Sequence, residues 1–118
     1  MVKVLYPFTL DDLFDFAKET FPAFTTKSKL REHVYYRQTA SYLADKAGYK
    51  LSRIADKLDV THPSVIWAKD NAESKLLTND EKFTNCYTDF VNKFNDHLVK
   101  KYSDELSKKF DSSEQLNA

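Results

Sequence analysis

Apolar residues recur every three or four positions through most of the chain, and that period predicts helices. Thr9-Leu10-Asp11-Asp12 reads as a helix start, with Thr9 as N-cap and Asp12 three residues on. Leu10, Leu13, Phe14 and Ala17 form one apolar face, and Phe21-Pro22 ends the helix because proline disfavours helix at the residue before it. Residues 22–29 have no period and are rich in Thr, Ser and Lys, as a loop is. A second helix begins between Leu30 and Tyr36 and runs to about Ala47, with Ala40, Leu43, Ala44 and Ala47 facing the core. Gly48 then suits a left-handed C-cap.

A short third helix at about 51–58 buries Leu51, Ile54, Ala55 and Leu58, and Asp59-Val60-Thr61 is the turn after it. Thr61 or His62 caps a fourth helix that has Pro63 in its first turn, where a missing N–H costs nothing. Val65, Ala68, Ala72 and Leu76 face inward along it, and Ile66 and Trp67 read as packing residues because Trp mostly buries area. Thr78-Asn79-Asp80-Glu81 has the form of a capping box for the last helix. Phe83, Tyr87, Phe90, Phe94, Leu98, Tyr102, Leu106 and Phe110 follow at steps of three or four. No Gly or Pro interrupts residues 79–110, so this helix can run unbroken for roughly 45 Å.

The pattern predicts an all-α fold: a helical bundle in one domain over residues 1–118, with a long C-terminal helix. One Gly and three Pro in 118 residues support it, since both residues break helices. Seven Tyr and nine Phe predict an aromatic core. No apolar run approaches the ~20 residues of a membrane span, and Asp11, Asp12, Asp15 and Glu19 interrupt any leader-like stretch at the N-terminus. The single Cys86 has no internal disulfide partner, which points to a reducing, cytoplasmic setting.

The formal net charge is zero but unevenly spread. Residues 1–26 carry −2, residues 27–57 carry +5 and residues 58–118 carry −3. Association follows the local field more than the total, so a basic middle between acidic ends marks a candidate docking surface for nucleic acid. The order of elements points the same way. A basic arm, Lys27-Ser28-Lys29-Leu30-Arg31, leads into three helices of which the last two are joined by a short turn. That is the order of a helix-turn-helix, whose second helix lies in the major groove. His33, His62 and His97 have no metal-ligand spacing with one another or with Cys86. There is no Gly-rich phosphate loop, and Asp11, Asp12 and Asp15 sit where a helix dipole favours acids. The expectation is a DNA reader with no cofactor, no metal and no enzymatic activity.

Specific residues carry a resemblance. Arg37-Gln38-Thr39-Ala40-Ser41-Tyr42-Leu43-Ala44, then Leu51-Ser52-Arg53-Ile54-Ala55, then Asp59-Val60-Thr61-His62-Pro63-Ser64-Val65 follow in order. Together they resemble the C-terminal DNA-binding domain of the bacterial chromosomal replication initiator DnaA. That family has a basic loop, an Arg-Gln-x-Ala-x-x-Leu-Ala helix, a Leu-x-x-Ile-Gly helix and a Gly-Gly-Arg-Asp-His-Thr-Thr-Val signature. The likeness spans roughly Thr9 to Phe94, which leaves residues 95–118 as a C-terminal extension. It implies that Lys27, Lys29 and Arg31 belong to a loop touching phosphate, with Lys29 at the place that enters the minor groove. Arg37 falls where the family touches the backbone, Thr61, His62 and Pro63 where it reads bases, and Ser64 where it donates to phosphate.

This chain is one residue shorter in the turn and lacks the Gly-Gly-Arg; Thr61 replaces Asp, Pro63 replaces Thr, and Tyr35 replaces a further loop Arg. The initiator's ATPase module has no counterpart. The expected function is therefore sequence-preferring double-stranded DNA binding by a stand-alone relative. The alternatives are a transcriptional regulator of the same fold and an interaction module that has lost DNA binding. Leu98, Tyr102, Leu106 and Phe110 extend the apolar stripe past the likeness. They predict either a homodimer through the last helix, the favoured expectation, or folding back onto the first helix through Phe8, Phe14 or Phe16.

Overall fold

The computed structural model describes residues 2–21, 24 and 30–117, with side chains described as far as Glu105. Five helices follow one another: α1 (Leu10–Thr20), α2 (Arg31–Lys46), α3 (Leu51–Leu58), α4 (His62–Leu77) and α5 (Glu81–Asn117), with no strand among the described residues. The all-α expectation holds.

The first helix starts as the sequence predicts. The Thr9 side chain accepts from the Asp12 amide at 3.0 Å, and the Asp12 carboxylate accepts from the Thr9 amide at 2.9 Å. Leu10, Leu13, Phe14 and Ala17 are buried, and Phe16 joins them. α2 ends at a C-cap on Ala47, followed by Gly48 at φ +91, a backbone open to glycine because it has no Cβ. Ala47 itself is exposed, because the capping turn has already rolled it off the core face. α2 makes its most extensive contact with α4. Ala40 and Ala44 on α2 and Ala72 on α4 are fully buried and small, which lets two helices approach closely.

The start of α5 differs from the expected capping box. Thr78 closes α4 instead, its hydroxyl donating to the Ser74 carbonyl at 3.0 Å. Asn79 takes a left-handed conformation (φ 55), and the Asp80 carboxylate accepts from the Phe83 amide at 2.9 Å. The turn between α4 and α5 needs one left-handed residue, which Asn tolerates, and that moves the cap from Thr78 to Asp80.

Along α5, Phe83, Tyr87, Phe90, Phe94 and Leu98 are buried. Phe16 of α1 lies 5.5 Å from Phe90 and 5.1 Å from Phe94 between ring centroids. Phe21 stacks on Tyr36 of α2 at 4.1 Å and on Phe90 at 5.2 Å, so one aromatic seam ties α1, α2 and α5 together. The N-terminal segment lies along α5 as a strap. Tyr87 donates to the Val2 carbonyl, Asn95 to the Lys3 carbonyl and Tyr102 to the Pro7 carbonyl, at 3.0, 3.0 and 2.6 Å. Phe8 meets Phe94 edge-on at 5.2 Å.

This is the fold-back arrangement: Phe8 and Phe16 meet α5, while Phe14 instead faces Phe24 at 6.1 Å. Leu98 is fully buried and Tyr102 half-buried, so residues 95–102, set apart in the sequence as an extension, belong to the body of the fold. The side chains of Leu106 and Phe110 lie outside the described residues.

Candidate nucleic-acid interface

α3 and α4 follow one another across the short turn that the sequence predicts, with α3 at the expected 51–58. α3 is held by Ile54 and Ala55, both buried, and its end is set by Asp59 in the left-handed region at φ 54. The Val60 amide reaches back to the Ala55 carbonyl at 3.1 Å, which closes the turn. Thr61, extended at φ −79 and ψ 157, is then the N-cap of α4. Its hydroxyl lies 2.8 Å from the Ser64 hydroxyl. His62 is the first helical residue and Pro63 the second.

Thr61, His62, Pro63 and Ser64 are all exposed, so the four residues expected to read bases and phosphate share one accessible helix end. What that end offers is narrower than a generic N-terminus. Pro63 has no N–H, and the Ser64 amide is taken by the Thr61 carbonyl at 3.1 Å. A ligand meets the His62 amide and imidazole and the paired hydroxyls.

The remaining expected contacts are dispersed. Arg37 is half-buried on α2, and burial pulls its guanidinium pKa below the ordinary value. Its neighbour Gln38 is only 2% exposed and belongs to the core. Arg31 is exposed at the start of α2, where with Leu30, Glu32, His33, Lys82, Asn85 and Cys86 it lines a groove of about 720 Å³. That groove lies by the start of α5, and none of the residues from Thr61 to Ser64 lines it. Lys27 and Lys29 lie outside the described residues.

Charges that the sequence groups together are partly used inside the protein. Lys57 pairs with Asp11, Lys46 with Glu73 at 3.9 Å, and Lys69 with Asp45 at 3.8 Å and Asp70 at 3.3 Å. The Lys57 hydrogen bond holds the Asp11 carboxyl below its usual range. Exposed cations that sequence reasoning did not single out are Lys50 and Arg53, at the start of α3 beside exposed Ser52. In a helix-turn-helix the first helix crosses the phosphate backbone, and the position of these residues in that helix was the available signal.

The largest departure concerns Ile66 and Trp67. The sequence reads both as packing residues, yet they are 39% and 60% exposed. Val65 and Ala72 fix the inward face of α4, and residues one and two places after Val65 are carried around toward solvent.

No protein-family model matches this chain, and neither a curated protein nor a solved structure does.

Proposed function

We propose that this chain binds double-stranded DNA through α3 and α4, with a preference for sequence and no catalytic step. The observation that carries the reading is the first turn of α4: Thr61, His62, Pro63 and Ser64 stand exposed at the start of the second helix of a helix-turn-helix. Thr and His bond base edges, Ser bonds phosphate, and Lys50, Arg53 and Arg31 supply cations that release counterions. The motif resemblance to the initiator's DNA-binding domain supports the same reading and suggests a role in the cytoplasm, in replication or in transcriptional control.

Two other readings have observations of their own. A protein-interaction module is favoured by exposed Trp67 and Leu77 on α4. A homodimer through α5 would not use Leu98, which is buried, or the Tyr102 hydroxyl, which bonds Pro7 within the chain, whereas Val99 is exposed on the same helix. Among the described residues no helix is long and apolar enough to cross a membrane, and a membrane partner forms no part of the proposal.

Titration of random and selected duplexes at two salt concentrations tests the function. Binding should weaken steeply with salt, and replacing Lys27, Lys29 and Arg31 by Ala should flatten the slope by about 0.9 for each phosphate no longer neutralised. Thr61→Ala and His62→Ala should each reduce preference for a selected site by roughly 1–3 kcal/mol per base contact, with little change on random DNA. Absence of duplex binding by the folded protein would overturn the reading.

A further inference from the structure

We infer that the face of α5 beneath residues 2–8 is a groove that binds an extended peptide by its main chain, and that the N-terminal strap is its removable occupant. The peptide class it takes is an extended segment with branched apolar residues two apart and an aromatic residue four further on, the pattern of Val2, Val4 and Phe8. This site shares no residue with the DNA-binding surface proposed for α3 and α4. Tyr87, Asn95 and Tyr102 follow at spacings of eight and seven, close to two helical turns each, so they stand in a row along α5. All three bond the strap through its main chain. The Tyr87 hydroxyl donates to the Val2 carbonyl and the Tyr102 hydroxyl to the Pro7 carbonyl. Between them the Asn95 amide donates to the Lys3 carbonyl at 3.0 Å, and its oxygen accepts from the Leu5 N–H at 2.9 Å. Tyr49, between α2 and α3, donates to the Phe8 carbonyl at 2.6 Å. The groove thus supplies side chains and its occupant supplies peptide groups, which any extended segment carries. Main-chain hydrogen bonds of this kind give affinity, and seats for alternate side chains give selectivity.

The strap's own side chains show both the seats and the weakness of its hold. Val2, Val4 and Phe8 are half-buried against the core, whereas Lys3, Leu5, Tyr6 and Pro7 are exposed. No residue from Val2 to Thr9 is fully buried, while Phe94, which Phe8 meets edge-on, has no exposed surface. A segment held by hydrogen bonds at the surface and three half-buried side chains belongs to the low-stability end of a structure and opens before the core does. Opening leaves the row of Tyr87, Asn95 and Tyr102 to a replacement. The tethered strap competes at an effective concentration of about millimolar, so a second peptide enters when the strap is weakened or when it fits the groove better.

Native-state hydrogen exchange on the parent protein tests removal of the strap. Corrected for intrinsic rates, the Leu5 amide should exchange faster than the Phe94 amide by about tenfold or more, with little acceleration by low urea. Exchange of both amides at one rate, rising together with urea, overturns a removable strap. Fluorescence anisotropy tests capture, with a labelled synthetic peptide of residues 2–9 as the probe. A full-length Val2→Asp/Val4→Asp variant, shown to be folded by circular dichroism, should bind it about tenfold or more tightly than the parent, whose own strap competes. Phe8→Ala in the full-length chain is a milder release, with the same expected result, should the double variant not fold. N-methylation of the peptide at Leu5 removes the N–H that Asn95 accepts and should weaken capture by about threefold to tenfold. Lys3→Glu and Leu5→Ser in the peptide should leave capture unchanged. No capture by a folded released variant, or capture that depends on the Lys3 and Leu5 side chains in place of the amide, overturns the groove.

Discussion

Asp12 shows how much a single side chain does here. Its carboxylate caps the strap-to-helix junction by accepting from the Thr9 amide, and it also pairs with Lys101 of α5. Burial alone would raise its pKa, but the hydrogen bonds from Lys101 and Thr9 outweigh that and hold it below the ordinary aspartate value. A carboxyl with a depressed folded pKa stabilises the fold above the unfolded value, near 3.8, and that contribution is lost as pH falls through the folded pKa. Asp12→Ala should therefore cost about 1–2 kcal/mol at neutral pH. Urea titrations of parent and variant should converge as the pH is lowered from about 4 toward 2. A gap that persists at the acid end would mean that the carboxylate charge is not what Thr9 and Lys101 stabilise. Tyr87 moves in the other direction: burial pushes its hydroxyl up to about 12, consistent with a phenol that stays protonated to donate to the Val2 carbonyl.

At the scale of the element, the turn between α3 and α4 decides the direction in which α4 leaves α3. Asp59 holds φ 54, and the angle between the two helices depends on that one left-handed residue. A β-branched side chain is strongly disfavoured there, so Asp59→Val should destabilise the fold by roughly 1–2 kcal/mol, whereas Asp59→Gly should be tolerated. Thermal melts of the two variants check this, and equal losses from Gly and Val would show that the Asp59 side chain matters more than its backbone. The boundaries of α3 were legible because Leu51, Ile54, Ala55 and Leu58 leave little freedom for a short helix. The N-cap of α5 was not. Thr78 and Asp80 are both good capping residues, and the choice between them follows from how the chain must turn after α4.

For the whole molecule the deciding question is what covers the long apolar stripe of α5. Each turn of this helix finds a partner in the same chain up to Tyr102: Tyr35 and Tyr42 of α2 against Phe83 and Tyr87, Phe16 of α1 against Phe90 and Phe94, and the strap against Tyr102. Leu98 has no exposed surface, so Leu98→Ala should cost about 2–5 kcal/mol. That destabilisation should be independent of protein concentration in denaturant titrations, because the packing around Leu98 is intramolecular. A midpoint that rises with concentration in the parent but not in the variant would instead place Leu98 between two copies.

The sequence by itself determined most of the local chemistry: where helices other than α5 start and stop, the main apolar faces, and that Thr61 to Ser64 open a helix after a short turn. These depend on caps, proline, glycine and periodicity, which act over a few neighbouring residues. The tertiary structure decided what depends on distant partners. Ile66 and Trp67 could not be assigned from composition, since a large apolar residue is inward or outward according to which side of α4 meets α2. The basic middle of the chain could not be read as one surface either. Lys46 and Lys57 find carboxylates on other helices, and only packing brings those acids within reach. The fate of the α5 stripe was open for the same reason, because an apolar face is satisfied equally by a second copy or by its own chain. Here an N-terminal strap of eight residues, from Val2 to Thr9, together with α1 covers it as far as Tyr102.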